Sequence, residues 1–181
     1  VSLPFFVSDQ FIPSGFMNDP TGITLSAGAN GGAACPDRAP TQGGSCYVIR
    51  WSSTGKPWAG VYWQYPANNW GTEPGLMVAP GATQVSFYAK GAAGGEIIQF
   101  KTGGINDPIV TATGNYGDTF AVTGPTATLS TTWTQYTISL TGATYPQGVL
   151  GAFVWVAAAV VTDAGTTNDD LTFYVDDLQW Q

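Results

Sequence analysis

"TQVSFYAKGAAGGEIIQFKTG", residues 83–103, decides how the chain is read. Val85, Phe87 and Ala89 alternate with Ser86, Tyr88 and Lys90. After a Gly/Ala break, Ile98 and Phe100 alternate with Gln99 and Lys101. A repeat of two sends successive side chains to opposite sides of a strand, so each half reads as a strand with an apolar and a polar side. The same beat runs through "SCYVIRWS" (45–52), "AGVYWQYP" (59–66), "TFAVTG" (119–124), "WTQYTISLTG" (133–142), "VLGAFVWVAAAVV" (149–161) and "LTFYVDDLQWQ" (171–181), with "PFFVSDQF" (4–11) as an N-terminal strand. The β-branched residues of "VWVAAAVVT" favour strand over helix. Short β-rich runs, punctuated by 24 Gly and 12 Pro, predict an all-β fold: an antiparallel two-sheet sandwich of roughly eight to ten strands. The whole chain, 1–181, reads as one module, with residues 26–46 as a long Gly/Ala-rich loop.

The totals narrow the chemistry. Hydrophobic residues make up 44% of the 181 and charged residues 9%, with 5 Lys+Arg against 12 Asp+Glu and no histidine. Such a chain folds, and its acidic surface repels nucleic acid and anionic membranes. Without histidine, Ser-His-Asp and Cys-His catalysis are excluded, and two cysteines cannot make a zinc site. Cys35 and Cys46 bracket a short Gly/Pro loop, "CPDRAPTQGGSC". They read either as buried thiols or, the choice carried forward, as a disulfide that stabilises the fold by roughly 2–3 kcal/mol. A disulfide implies an oxidising compartment. No apolar run is long enough to span a bilayer. With no leader in view, the expectation is a secreted or extracellular, monomeric protein, either mature or a module of a longer chain.

The polar sides of the strands collect Arg50, Tyr62, Gln64, Tyr88, Gln99 and Lys101, expected on one face of one sheet. Rings combined with planar hydrogen-bonding groups suit sugars, whose C–H faces stack and whose hydroxyls pair. Trp58 and Trp70, on Gly/Pro-rich loops, are candidates for the rim of such a face, or for plugs over the end of the sandwich. Glu96, beginning a strand beside two glycines, is a candidate acceptor for sugar hydroxyls. Trp63 and Phe87, of opposite parity, are expected in the core.

"WTQYTISLTG", "GAFVWV" and the ending "TFYVDDLQWQ" resemble the C-terminal half of jelly-roll carbohydrate-binding modules, the galactose-binding-like sandwiches appended to secreted bacterial polysaccharide-degrading enzymes. "WAGVYWQYP", "NNWG" and "GGEIIQF" are similar to their middle strands, and "FFVSDQFIPSG" to their first. The resemblance covers most of the chain at the level of fold. It implies non-catalytic binding of a plant- or microbe-derived polysaccharide or oligosaccharide, β-glucan-type above all. It also implies a structural Ca2+ held by Asp176 of the last strand and Asp9 near the first, with Asp177 as a further ligand and Asn18 and Asp19 as weaker ones. Otherwise Asp176 and Asp177 simply end a strand or accept turn N–H groups.

"GFMNDPTG", residues 15–22, resembles the nucleophile stretch of sucrose- and fructan-cleaving glycosidases. Their Arg-Asp-Pro and Glu-Cys signatures are absent, however; "PDRAP" around Asp37 is not the former, and neither Glu73 nor Glu96 precedes a Cys. Asn-Asp-Pro followed by Thr-Gly is also an ordinary turn, and that is the reading adopted for Asp19. Glycoside hydrolysis needs two carboxylates at a set separation. Asp169-Asp170 and Asp176-Asp177 are sequence neighbours, which a strand points to opposite faces. The alternatives to a binding module are a lyase using Arg50, Tyr62 or Tyr88, and Lys101; a hydrolase domain; and a sandwich used for protein adhesion.

Overall fold

The computed structural model describes residues 1–29, 34–53, 56–105, 116–161, 167–168 and 170–181. The strands are β1 (Phe5–Phe6), β2 (Ile12–Met17), β3 (Ile23–Ala29), β4 (Ser45–Ser52), β5 (Trp58–Gln64), β6 (Gln84–Gly91), β7 (Ile97–Gly103), β8 (Ala121–Thr128), β9 (Thr134–Ser139), β10 (Gly151–Ala158), β11 (Val160–Val161), β12 (Thr167–Asn168) and β13 (Asp170–Trp180). Among the described residues the one helical turn is a 3-10 turn at Val7–Asp9. Two antiparallel sheets form the sandwich. A six-stranded sheet runs β3-β4-β13-β6-β9, with β1 also on β13, and a five-stranded sheet runs β2-β5-β10-β7-β8. The antiparallel all-β sandwich expected from the alternation is what the chain adopts.

The apolar beat builds the layer between the sheets. Tyr47, Ile49 and Trp51 of β4, Val85, Phe87 and Ala89 of β6, and Phe173 and Val175 of β13 face Val61 and Trp63 of β5, Ile98 and Phe100 of β7, and Phe153 and Trp155 of β10. Phe87 reaches across from the six-stranded sheet to Phe100 and Phe153, with ring centroids 4.7 and 5.0 Å away. Trp63 and Phe87 lie in the core, as their parity required.

Three strands escaped the sequence reading: the two-residue β12 (Thr167–Asn168), and β2 and β3. β2 carries Pro13 and Gly15, and β3 carries Gly28, which thin the alternation. Both are edge strands, where one apolar side is enough and Pro is tolerated. The stretch expected as a loop from residue 26 is therefore strand up to Ala29. A second correction concerns sheet membership. β4, β5, β6 and β7 alternate between the two sheets. Period two tells which side of a strand is buried, but not which sheet the strand has joined.

Candidate functional site

The six residues expected on one face are divided between two. Arg50 (β4) and Tyr88 (β6) lie on the outer side of the six-stranded sheet; Tyr62 and Gln64 (β5) and Gln99 and Lys101 (β7) lie on the outer side of the five-stranded one. Trp58, of the same parity as Tyr62, joins the second group, and Trp70 leans over it from a loop.

Register orders this second face into rows. Gly15, Tyr62, Val154, Lys101 and Thr123 form one row, and Met17, Gly60, Val156, Gln99 and Thr126 the next. Trp58 stands beyond them, opposite Ala158. Tyr62 and Lys101 help line a groove of about 190 Å³ together with Gly103, Gly104 and Thr123. Val154, in register between Tyr62 and Lys101, is fully buried yet outside the core between the sheets. The Tyr62 ring rests over Gly151, where a Cβ would stand 2.8 Å from the ring, so a larger residue there would lift the ring from its bed. The Tyr62 hydroxyl donates to the Gly103 carbonyl at 3.2 Å. Gln99 Nε2 donates to Thr126 Oγ1 at 3.2 Å. Lys101 has no ion-pair partner among the described residues, whereas Arg38, Lys56 and Lys90 each have one.

Gln64 belongs to this face but is not available to a ligand. It is fully buried, accepts from Ser14 Oγ at 2.9 Å and donates to the Asn69 carbonyl at 2.9 Å. Asn69, which the sequence reading missed, holds the Trp70 loop together. Its Oδ1 accepts from the backbone N–H of Gly71, Thr72 and Glu73, while its Nδ2 donates to the carbonyls of Tyr65 and Glu73. Trp70 itself is 44% exposed and meets Tyr62 edge-on, with centroids 6.0 Å apart. Tyr116, also missed, is exposed and donates its backbone N–H to Gly71 of the same loop. "NNWG" held a usable signal, since an Asn before a loop Trp can knit the loop's own N–H groups.

Trp58 is held from the turn that looked like a glycosidase motif: Asn18 Nδ2 donates to the Trp58 carbonyl at 2.8 Å. Asp19 Oδ1 accepts from Thr21 N–H at 2.9 Å and Thr21 Oγ1 at 2.7 Å. Lys56 lies 3.5 Å from Oδ2. The Thr21 bonds, aided by Lys56, hold the Asp19 carboxyl below its ordinary range. This carboxylate closes a turn. Glu96 stands at neither outer face; its carboxylate is folded against Gly91 at one end of the sandwich.

The carboxylates expected to bind calcium have other partners. Asp176 is fully buried. Its Oδ2 accepts from Arg38 Nε at 2.7 Å and Ala39 N–H at 2.8 Å, and its Oδ1 from Arg38 Nη2 and Asp177 N–H, both at 2.9 Å. Hydrogen bonding to Asp176 raises the pKa of the Arg38 guanidinium. Asp177 accepts from Thr41 N–H at 3.1 Å, from Thr41 Oγ1 and from Gly43 N–H. Asp9 is exposed, at the end of the 3-10 turn. Calcium requires about six to eight oxygen ligands. Here a guanidinium and N–H donors fill the lone pairs, and among the described residues no three His, Cys, Asp or Glu side chains gather as ligands. This set does not fit a calcium ion. Cys35 and Cys46 form a disulfide, Cα atoms 6.1 Å apart, and close the same loop.

No protein-family model matches the chain, and no curated protein does. Similar folds occur among solved structures. One, from work on the promiscuous specificity of carbohydrate-binding modules of the β-sandwich superfamily, is 15% identical, with 98% of this chain and 60% of that chain covered at a TM-score of 0.51. A family 11 carbohydrate-binding module of a cellulosomal cellulase from Clostridium thermocellum is 12% identical, with 99% and 95% covered at 0.49. A family 11 module from the same organism, in complex with a β-1,3-1,4-mixed-linked tetrasaccharide, is 10% identical, with 94% of each chain covered at 0.44. The chain has the two-sheet β-sandwich fold found among carbohydrate-binding modules.

Proposed function

We propose that the protein is a non-catalytic carbohydrate-binding module whose ligand lies on the outer face of the five-stranded sheet. The observation that carries this reading is the placement of Tyr62 in one cross-strand row with Val154 and Lys101, with Gln99 in the next row and the exposed Trp70 against the Tyr62 ring. Rings receive the C–H faces of sugars, and the ammonium, amide and threonine hydroxyls pair with sugar hydroxyls. Trp58 sits four residues from Tyr62 along β5, roughly 13 Å at strand rise. An open face with rings at both ends suits an extended chain, which makes β-linked glucans the first class to try.

Support for a non-catalytic role comes from where the acids and bases go. Asp19 closes a turn, and Asp176 and Asp177 hold a loop. The lyase reading loses Arg50 and Tyr88 to the opposite sheet. We further propose that the Arg38–Asp176 pair, rather than a calcium ion, secures the last strand here. Export, which the disulfide suits, belongs to the same proposal; no helix among the described residues is long and apolar enough to cross a membrane.

Affinity electrophoresis through β-glucan, xylan, mannan and polyuronate gels, with reducing ends and unsaturated products followed in parallel, tests the reading. Retardation in at least one gel, without products and lost in Tyr62→Ala, is expected. Product formation, or no retardation in any gel, would overturn it.

A further inference from the structure

The exposed ring of Trp70 sits on a chain of buried polar groups that begins on another strand. Between Pro13 and Gly15 the pairing of β2 with β5 shifts register, and Ser14 is the extra residue. A bulge of this kind re-aims the side chain it inserts. Ser14 Oγ donates to Gln64 Oε1 at 2.9 Å and accepts from the backbone N–H of Asn68 at 2.8 Å. Gln64 Nε2 then donates to the Asn69 carbonyl at 2.9 Å. Glycine at position 15 makes room for this amide, since a Cβ there would stand 2.7 Å from Gln64 Cδ. The Asn69 side chain makes five hydrogen bonds to the backbone of its own loop. Gln64 is fully buried and Asn69 is 2% exposed, so neither is open to a ligand.

A buried amide in this position is not needed for packing, which an apolar side chain would serve at lower cost. A fully paired polar network instead specifies one geometry. The geometry specified here is that of the loop on which Trp70 stands. Residues on either side of Trp70 have left-handed backbone, Asn68 at φ 60° and Gly71 at φ 101°. At the end of the network the indole meets the Tyr62 ring edge-on, with an interplanar angle of 84°. Tyr62 is itself held, by its hydrogen bond to the Gly103 carbonyl and by its bed over Gly151. Rings already in place spare a ligand the cost of ordering them.

We infer that Asn69 and Gln64 are positioning residues for the groove: they touch no ligand, and they set its affinity by holding Trp70 against Tyr62. The inference rests on the groove being the saccharide site. It gives Gln64, a candidate for contact with sugar hydroxyls, a supporting task one step behind the ring.

The test is a double-mutant cycle on the full chain, read by affinity electrophoresis through β-glucan, xylan, mannan and polyuronate gels. It is paired with 19F NMR of protein labelled with 5-fluorotryptophan, in which Trp70→Phe identifies the Trp70 line. Asn69→Ala is expected to weaken retention at least about fivefold when Trp70 is present and less than about twofold when Trp70 is alanine, because residues that act through one another are not additive. Without any polymer, Asn69→Ala is expected to shift or broaden the Trp70 line. If Asn69→Ala does not fold, Gln64→Leu replaces it in both measurements. Three results would overturn the inference: wild-type retention in the folded variant, weakening by the same factor with and without Trp70, or a Trp70 line that stays where it was. Failure of the groove itself looks different. In that case no gel retards wild type, or Tyr62→Ala and Trp70→Ala are retained like wild type, and the NMR line alone decides whether Asn69 places the ring.

Discussion

The two outer faces of the sandwich contrast in what covers them. On the six-stranded sheet the loop that carries the disulfide is packed down. Val48 is buried there in a small apolar cluster with Cys35 and Cys46, flanked by Trp133 and Tyr174. Lys90 pairs with Asp37 and lies over both rings, 4.8 Å from the Trp133 centroid and 5.3 Å from that of Tyr174. Arg38 and Asp176 anchor the loop's other side. On the five-stranded sheet Val154 is equally buried, in register between Tyr62 and Lys101, and Trp70 meets the Tyr62 ring from a loop. Two of the few cations, Arg38 and Lys90, help close one face through ion pairs, whereas among the described residues Lys101 on the other face, like the exposed Arg50 on the first, has no ion-pair partner. On the proposed function the covered face serves stability and the open one the ligand, so substitutions on the two should separate cleanly.

The largest effect expected is from Arg38→Ala. Leaving the Asp176 carboxylate buried and unpaired should cost on the order of 3–5 kcal/mol in denaturant unfolding, with groove affinity unchanged in whatever remains folded. Wild-type protein should melt at the same temperature with and without excess chelator. A chelator-induced drop that Asp176→Asn removes would place a cation where the guanidinium stands.

Replacing Cys35 and Cys46 by Ser should cost roughly 2–3 kcal/mol of stability, in the chain-entropy account, and again spare polysaccharide binding. Loss of binding in this variant would mean that the covered face takes part in recognition.

Tyr62→Ala and Trp70→Ala should reverse the pattern, each weakening polysaccharide binding by about 1–3 kcal/mol, as truncation of anchoring rings does. Arg50→Ala and Tyr88→Ala, on the other sheet, should leave titrations with the same polymer unmoved. If those two lose affinity and Tyr62→Ala does not, the faces have been assigned the wrong way round. The smallest effect belongs to Asp19→Asn, which should stay within about 0.5 kcal/mol in binding. A larger loss by calorimetry would tie the turn to the ligand through Asn18 and Trp58.

Alternation along single strands was enough to name part of the core: Trp63, Phe87 and Phe100 follow from a period of two. It could not separate Tyr88 from Tyr62, because sheet membership depends on pairing between strands far apart in sequence. Gln64 shows a further limit. Its parity was read correctly, but only the fold shows Ser14 and the Asn69 carbonyl closing on it. Asp176 was legible as an important acid in the last strand. Its partner was not, since Arg38 stands 138 residues away in a loop whose composition suggests nothing but a staple.

The position of β13 has a consequence for how the protein is made. It lies between β4 and β6 and also carries β1, so it supplies the centre of the six-stranded sheet. While Asp170–Trp180 is still inside a ribosome, β4 and β6 each lack a neighbour, and Phe100 and Trp155 lack the ring of Phe173. The six-stranded sheet cannot close until then, and β4 and β6 present open edges prone to pairing with other chains. Nascent chains of this sequence should therefore depend on holding factors until synthesis has passed residue 180, and then fold in one late, non-local step.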